Sequence, residues 1–185
     1  PPMLRQSLGD GPILMHISNF RSVKRVRDVV GIFARVNAEI PSWLVMVGDG
    51  PDRADAEDEA RRHGIEPRVQ FLGKIDNVAP LLASADLFLL PSTSESFGLS
   101  ALEALASGVP VIGSNAGGMP EVVRDGETGY LCPVGDVEGM SRAALSILSD
   151  PEKWKAMSEL GARDARARFS LDEIVSKYEH LYSTS

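Results

Sequence analysis

The chain has 185 residues, enough for one domain with a substantial core, and its 43% hydrophobic and 24% charged content is ordinary for a globular protein. A formal net charge of −7 at pH 7 argues against a nucleic-acid binder, so any anion site must be local. Cys132 is the single cysteine, which excludes an intrachain disulfide and a cysteine metal cluster and fits a reducing, cytoplasmic compartment; no apolar stretch reaches membrane-span length and no signal-peptide pattern opens the chain.

Residues 1–12 are polar, with Gly9, Gly11 and Pro12 near their end, and read as a linker or an incoming crossover. The chain opens on Pro1 rather than Met, as expected of a piece excised from something longer. Ile13 to Ile17 is a short, nearly continuous apolar run, the pattern of a strand buried on both faces. A loop from Ser18 to Arg25 carries Arg21, Lys24 and Arg25, and Val26, Val29, Val30, Phe33 and Val36 then recur at helical spacing. Pro41 ends that region, Trp43 to Val47 is a second strand, and Gly48-Asp49-Gly50-Pro51 is a strong turn.

Arg53 to His63 is a charged surface helix stopped by Gly64, and Val69 to Leu72 is a third strand followed by Gly73. A short helix from Val78 to Ala85 tolerates Pro80 in its first turn. Leu87 to Leu90 is the fourth strand, and a helix from Ser96 to Ser107 follows a polar loop. Val109 to Gly113 is a fifth strand, Glu121 to Arg124 a helical turn, and Tyr130 to Cys132 a last short strand. Asp136 caps a helix from about Val137 to Ser149, Pro151 starts another, and a final helix begins near Leu171 within residues 171–185. Strands alternating with helices specify a Rossmann-like, doubly wound, mostly parallel six-stranded sheet with helices on both faces, spanning residues 13–170.

In such a sheet ligands bind where strand ends meet helix starts. Pro91 to Pro110 is that kind of junction. Gly98 leaves backbone bare near the helix start, where amides and the helix dipole favour an anion. Close helix–strand packing explains this glycine equally well. Glu95 and Glu103 bracket the helix start and would lie ~12 Å apart if both were helical, too far for a paired-carboxylate hydrolase but suited to two contacts along an extended ligand. Alone, Glu103 reads most simply as a solvent-facing residue; its small and apolar neighbours Ala101, Leu102, Ala104, Leu105 and Ala106 weaken that reading, because a carboxylate among them needs a partner.

Loops after parallel strands open on one edge, so Arg21 and Lys24 share that edge with Gly98 and suit a diphosphate. Gly73, Lys74, Ile75, Asp76 and Asn77 follow the third strand there, as ordinary connection or as contact to a base; Gly117-Gly118 makes a flexible or positive-φ loop beside the site. His16, within a strand, reads as a satisfied core histidine, and His63 and His180 as surface residues. No residue cluster has metal-ligand spacing, and neither G-x-S-x-G nor G-x-x-x-x-G-K-[ST] occurs. A dinucleotide-dependent enzyme is disfavoured, since no glycine stands between Ser18 and Val30.

The run FLGKIDNVAPLLASADLFLLPSTSESFGLSALEALASGVPVIGSNAGGMPEVVRDGETGYLCPVGD, with the E-x7-E pattern Glu95 to Glu103 and Ser-Phe-Gly-Leu inside it, resembles the C-terminal, donor-binding half of retaining GT-B glycosyltransferases of family 4. Many members carry Gly-Arg-Leu where Ser18-Asn19-Phe20 stands here, with Arg21 beyond it and Lys24 in the expected place. The ISNFR-x-VKR form is similar to members that join N-acetylglucosamine from UDP-N-acetylglucosamine to L-malate at the start of bacillithiol biosynthesis.

The resemblance implies catalytic roles for Glu95 on the donor sugar and for Lys24 with Arg21 on the departing diphosphate. It implies donor binding by Asn19, Ser96, Phe97, Gly98, Leu99, ribose contact by Glu103, and uracil contact by Ile75 with Gly73, Lys74 and Asn77. It implies no metal or other cofactor, and an acceptor-binding N-terminal domain as partner, against which residues 171–185 would pack. It leaves room for a homo-oligomer, and the chain alone is expected to be inactive. Two alternatives stay open: a stand-alone nucleotide-sugar-binding module, and a family 4 transferase with another donor and a lipid or polysaccharide acceptor.

Overall fold

In the computed structural model, residues 2–169 are described, and the helix expected within residues 171–185 lies outside them. The first helix, α1 (Pro2–Leu8), forms in the stretch read as a linker or incoming crossover. The strands follow the apolar runs: β1 (Ile13–Ile17), β2 (Trp43–Val47), β3 (Val69–Gly73), β4 (Leu87–Leu90), β5 (Val111–Ser114) and β6 (Gly129–Cys132). They form one six-stranded sheet in the order β3-β2-β1-β4-β5-β6, every pairing parallel. Chain order reverses between β1 and β4, which opens a crevice at their C-terminal ends.

Strand alternation divides the core in two. Leu14, Leu44, Met46, Leu89 and Ile112 join α2 (Val26–Glu39), α3 (Arg53–Arg62) and α7 (Val137–Leu148) on one face. Met15, Val45, Val47, Phe88, Leu90 and Val111 join α5 (Leu99–Ala106) and α6 (Met119–Val122) on the other, where Leu82 of the short α4 (Ala79–Leu82) also packs. The long α8 (Pro151–Arg168) ties the faces together, with Met157 in the first cluster and Ala165 in the second. Gly161 lets it approach α5, since a Cβ there would lie 3.2 Å from the Leu105 side chain.

Several boundaries differ from the sequence expectation, among them the helical turn expected from Glu121 to Arg124, which is Met119–Val122, and three have a clear local reason. The helix expected over residues 78–85 is four residues long, because Ser84 and Ala85 donate to carbonyls three residues back, a 3₁₀ pattern that ends the α-helix. The fifth strand starts at Val111 rather than Val109: the Val109 amide donates to Ala104 and closes α5 over Gly108 at φ +78°. The central helix starts at Leu99 rather than Ser96, because Gly98 takes a left-handed conformation at φ +61° and serves as its N-cap.

Candidate functional site

At the crevice between β1 and β4 the strand-end loops enclose an open cleft of about 550 Å³. Of the residues singled out in the sequence, Asn19, Lys24, Glu95, Ser96, Phe97, Gly98 and Leu99 line it. Arg21, Glu103 and the Gly73, Lys74, Ile75 and Asn77 group do not. Arg21 is exposed at the start of the 3₁₀ turn Ser22–Lys24, and its carbonyl accepts from the Lys24 amide at 2.9 Å. Lys74 to Asn77 lie exposed on the same sheet edge but beyond β3, with two strands between β3 and β4; Asn77 Oδ1 accepts from the Ala79 amide at 3.3 Å. Ser18, Ser94 and Ser100 also line the cleft and were not singled out; for Ser94 the serine-rich loop before α5 is the signal that could have found it.

Lys24 and Glu95 meet across the cleft. Lys24 Nζ donates to Glu95 Oε2 at 2.5 Å, with the lysine 20% and the carboxylate 8% exposed. The pair joins the β1 loop to the β4 loop, and the Val23 carbonyl reinforces the link by accepting from the Thr93 amide at 2.8 Å. Both partners are charged groups with hydrogen-bonding capacity beyond their single mutual bond.

Beside them stands the N-terminus of α5. By helix geometry its first amides lack an intrahelical partner, and no side chain caps them. The other long helices on the C-terminal side differ: Asp136 Oδ1 accepts from the Gly139 amide at 2.9 Å, and Asp150 Oδ1 accepts from the Lys153 amide at 3.1 Å. An uncapped helix start beside a lysine, opening into a cleft, is suited to an anion. Gly98 contributes conformation here more than bare backbone: its φ is +61°, and a Cβ would lie 3.2 Å from Val122.

Glu103 lies one turn into α5, half-buried, and its side chain has no hydrogen bond or ion pair among the described residues. Burial alone pushes its carboxyl above the ordinary carboxylate range. The partner that its apolar surroundings demand is thus not found among the described residues. Because Glu95 sits in the loop and not in the helix, the two-turn spacing between the glutamates does not apply.

The Glu95 loop rests on the loop after β5. The Gly118 amide donates to the Glu95 carbonyl at 2.5 Å, and a Cβ on Gly117 would lie 2.3 Å from that same oxygen. Gly117 is left-handed at φ +56°, but Gly118 is not, so only the first glycine of the pair needs positive φ; close approach explains the second, whose Cβ would lie 2.8 Å from the Ser96 carbonyl.

His16 is fully buried beneath the cleft. Its Nδ1 lies 2.8 Å from the Leu89 carbonyl, which can only accept, so Nδ1 carries the proton and Nε2 accepts from Ser18 Oγ at 2.7 Å. Burial lowers its pKa from 6.5 to about 4, with the Lys24 charge acting in the same direction, so the ring is neutral. Cys132 ends β6, and burial, with Asp136 and Asp125 nearby, pushes its thiol up, away from thiolate chemistry.

These features compare directly with known proteins. The family model for glycosyl transferases group 1 matches residues 5–164. The chain belongs to that family. It is 51% identical over 170 residues to N-acetyl-alpha-D-glucosaminyl L-malate synthase of Bacillus anthracis, covering 92% of this chain and 45% of that protein. It is 36% identical over 162 residues to glycogen synthase of Mycobacterium tuberculosis, covering 86% of this chain and 38% of that one. Anabaena HepE, solved with UDP and glucose, superposes with a TM-score of 0.87 at 26% identity, over 100% of this chain and 52% of that one. The chain therefore spans about half the length of its relatives or less, and its fold matches one Rossmann-like half of GT-B glycosyltransferases. As a glycosyltransferase group 1 domain it contains no described helix long and apolar enough to cross a membrane.

Proposed function

We propose that this chain is the donor-binding half of a retaining glycosyltransferase that moves N-acetylglucosamine from UDP-N-acetylglucosamine to L-malate. The observation that carries the nucleotide-sugar part is the cleft itself: an uncapped helix start flanked by the Lys24–Glu95 pair. The sugar and acceptor assignments draw support from the malate synthase relative, and the nucleotide from the UDP held by HepE.

In this reading the diphosphate lies over the start of α5. Lys24 leaves Glu95 to meet it, with Arg21 swinging in from the exposed loop. Glu95 is thereby freed to accept from sugar hydroxyls, and Glu103 accepts from the ribose. The base reaches the Gly73 to Asn77 loop on the same edge. The transition state of transfer puts positive charge on the sugar and negative charge on the departing diphosphate. Preorganised amides and cations stabilise that leaving group, and no metal is required for this. The acceptor enters from an N-terminal domain that faces the cleft.

Calorimetry with UDP, GDP and ADP tests the reading, with UDP bound in preference and binding unchanged by a chelator. Lys24→Ala weakens UDP by about tenfold or more, the loss of one charge-assisted contact. Equal affinity for all three nucleotides, or no effect of Lys24→Ala, refutes it. Turnover of UDP-N-acetylglucosamine and L-malate by this chain alone refutes the half-enzyme part.

A further inference from the structure

We propose that His16 and Ser18 are positioning residues: a bridge from the buried His16 to the half-buried Ser18 holds Phe20 in a left-handed conformation and thereby aims Asn19 and Lys24 into the cleft. Phe20 has φ +47°, a conformation that a bulky non-glycine residue adopts only when its surroundings over-determine it. The surroundings do so at both of its backbone groups. The Phe20 amide donates to Ser18 Oγ at 3.2 Å, and the Phe20 carbonyl accepts from the Asp52 amide at 2.8 Å.

The bridge has a single consistent proton arrangement. His16 Nδ1–H donates to the Leu89 carbonyl, which leaves Nε2 an acceptor. Ser18 must therefore give its one hydroxyl proton to Nε2, and its lone pairs are left to receive the Phe20 amide. The chain of bonds runs from β4 through β1 into the loop, across the point where the strand order reverses. Ring packing follows the same path: His16 stacks between Phe20, at 6.0 Å, and Phe88, at 6.5 Å.

The backing is equally tight. A Cβ on Gly48 would lie 1.7 Å from the Ser18 carbonyl oxygen and one on Gly50 would lie 1.8 Å from that of Asn19, so the loop after β2 presses on the bridge without side chains between. Asn19 is the exposed residue between the two clamped ones and lines the cleft, and Lys24 follows four residues after Phe20. A fully buried imidazole is a costly way to fill a strand position that only needs volume. Its two polar contacts explain its presence, and both serve the loop.

The nucleotide readout rests on the function proposed above, so the test has one arm that needs no ligand. Amide hydrogen exchange at Phe20 is compared in the wild type, Ser18→Ala and Ser18→Thr, together with binding of UDP and of uridine. Ser18→Ala is expected to lose protection at Phe20 and to bind UDP about tenfold more weakly, with uridine binding unchanged. Ser18→Thr, which keeps the hydroxyl, is expected to restore both. Unchanged Phe20 protection in Ser18→Ala overturns the proposal whatever the wild type binds. Equal losses for UDP and uridine, or failure of Ser18→Thr to rescue, also overturn it, because a general loss of fold predicts those results. Absence of UDP binding by the wild type overturns the nucleotide reading alone, and the exchange result then decides the bridge.

Discussion

Replacing Gly117 by alanine separates two costs that the structure assigns to different glycines. Gly117 and Gly64 are both left-handed, at φ +56° and φ +67°. At Gly64 a Cβ meets nothing within 4 Å, whereas at Gly117 it lies 2.3 Å from the Glu95 carbonyl oxygen and 2.7 Å from the Glu95 amide nitrogen. Gly64→Ala therefore suffers only the left-handed penalty of ~1–2 kcal/mol, offset by ~0.4–1 kcal/mol of reduced unfolded-state entropy, for a net cost of about 1 kcal/mol or less. Gly117→Ala adds an overpacking cost of ~1–3 kcal/mol, for a total of about 1–4 kcal/mol. In a domain of this size each kcal/mol lowers Tm by ~2–4 °C, so the two variants should differ by roughly 2–12 °C. Thermal unfolding followed by circular dichroism reads this directly. The clash falls on the backbone of Glu95, so Gly117→Ala should also weaken UDP, and Gly64→Ala should not. Equal Tm values for the two variants would refute the close contact between the β5 and β4 loops.

Two further predictions concern groups whose burial has opposite consequences with pH. The folded state raises the Glu103 pKa, so its carboxylate costs stability once pH rises through the folded value, and Glu103→Gln should be more stable than the wild type at neutral pH, the gap closing in acid. The same variant should bind UDP about tenfold more weakly, because an amide donor replaces one of the two charged acceptor oxygens; a loss of stability at neutral pH in Glu103→Gln would instead show that the carboxylate has a protein partner. His16 has the reverse sign: its folded pKa is lowered, so the stability it contributes is present above pH 6.5 and lost as pH falls towards about 4. That loss amounts to about 3 kcal/mol, and denaturant titrations at a series of pH values should show it in the wild type and not in His16→Asn.

The sequence by itself determined the alternation of elements, the apolar strands and the side of the sheet on which the ligand edge lies. Those follow from local rules: a buried parallel strand must be continuously apolar, and a helix must carry apolar residues at its own period. It also marked Lys24, Glu95 and the Phe97-Gly98-Leu99 turn, because loops after parallel strands share one edge whatever their spacing in the chain. Only the tertiary structure decided which of these meet. Lys24 and Glu95 are 71 residues apart and pair because β1 and β4 are neighbours at the reversal of strand order. Arg21, three residues from Lys24, has an equally suitable charge but is exposed outside the cleft, since a 3₁₀ turn rotates it away. The start of α5 at Leu99 depends on the left-handed conformation of Gly98, and the placement of the Glu95 loop on Gly117 lying against it. His16 shows the division most clearly. Its burial could be read from the apolar run around it, but its bonds to Leu89 and Ser18, and through Ser18 to the strained Phe20, arise from a contact 73 residues distant in the chain. Local pattern fixes what each segment is, and long-range packing fixes which polar groups have to be satisfied by one another.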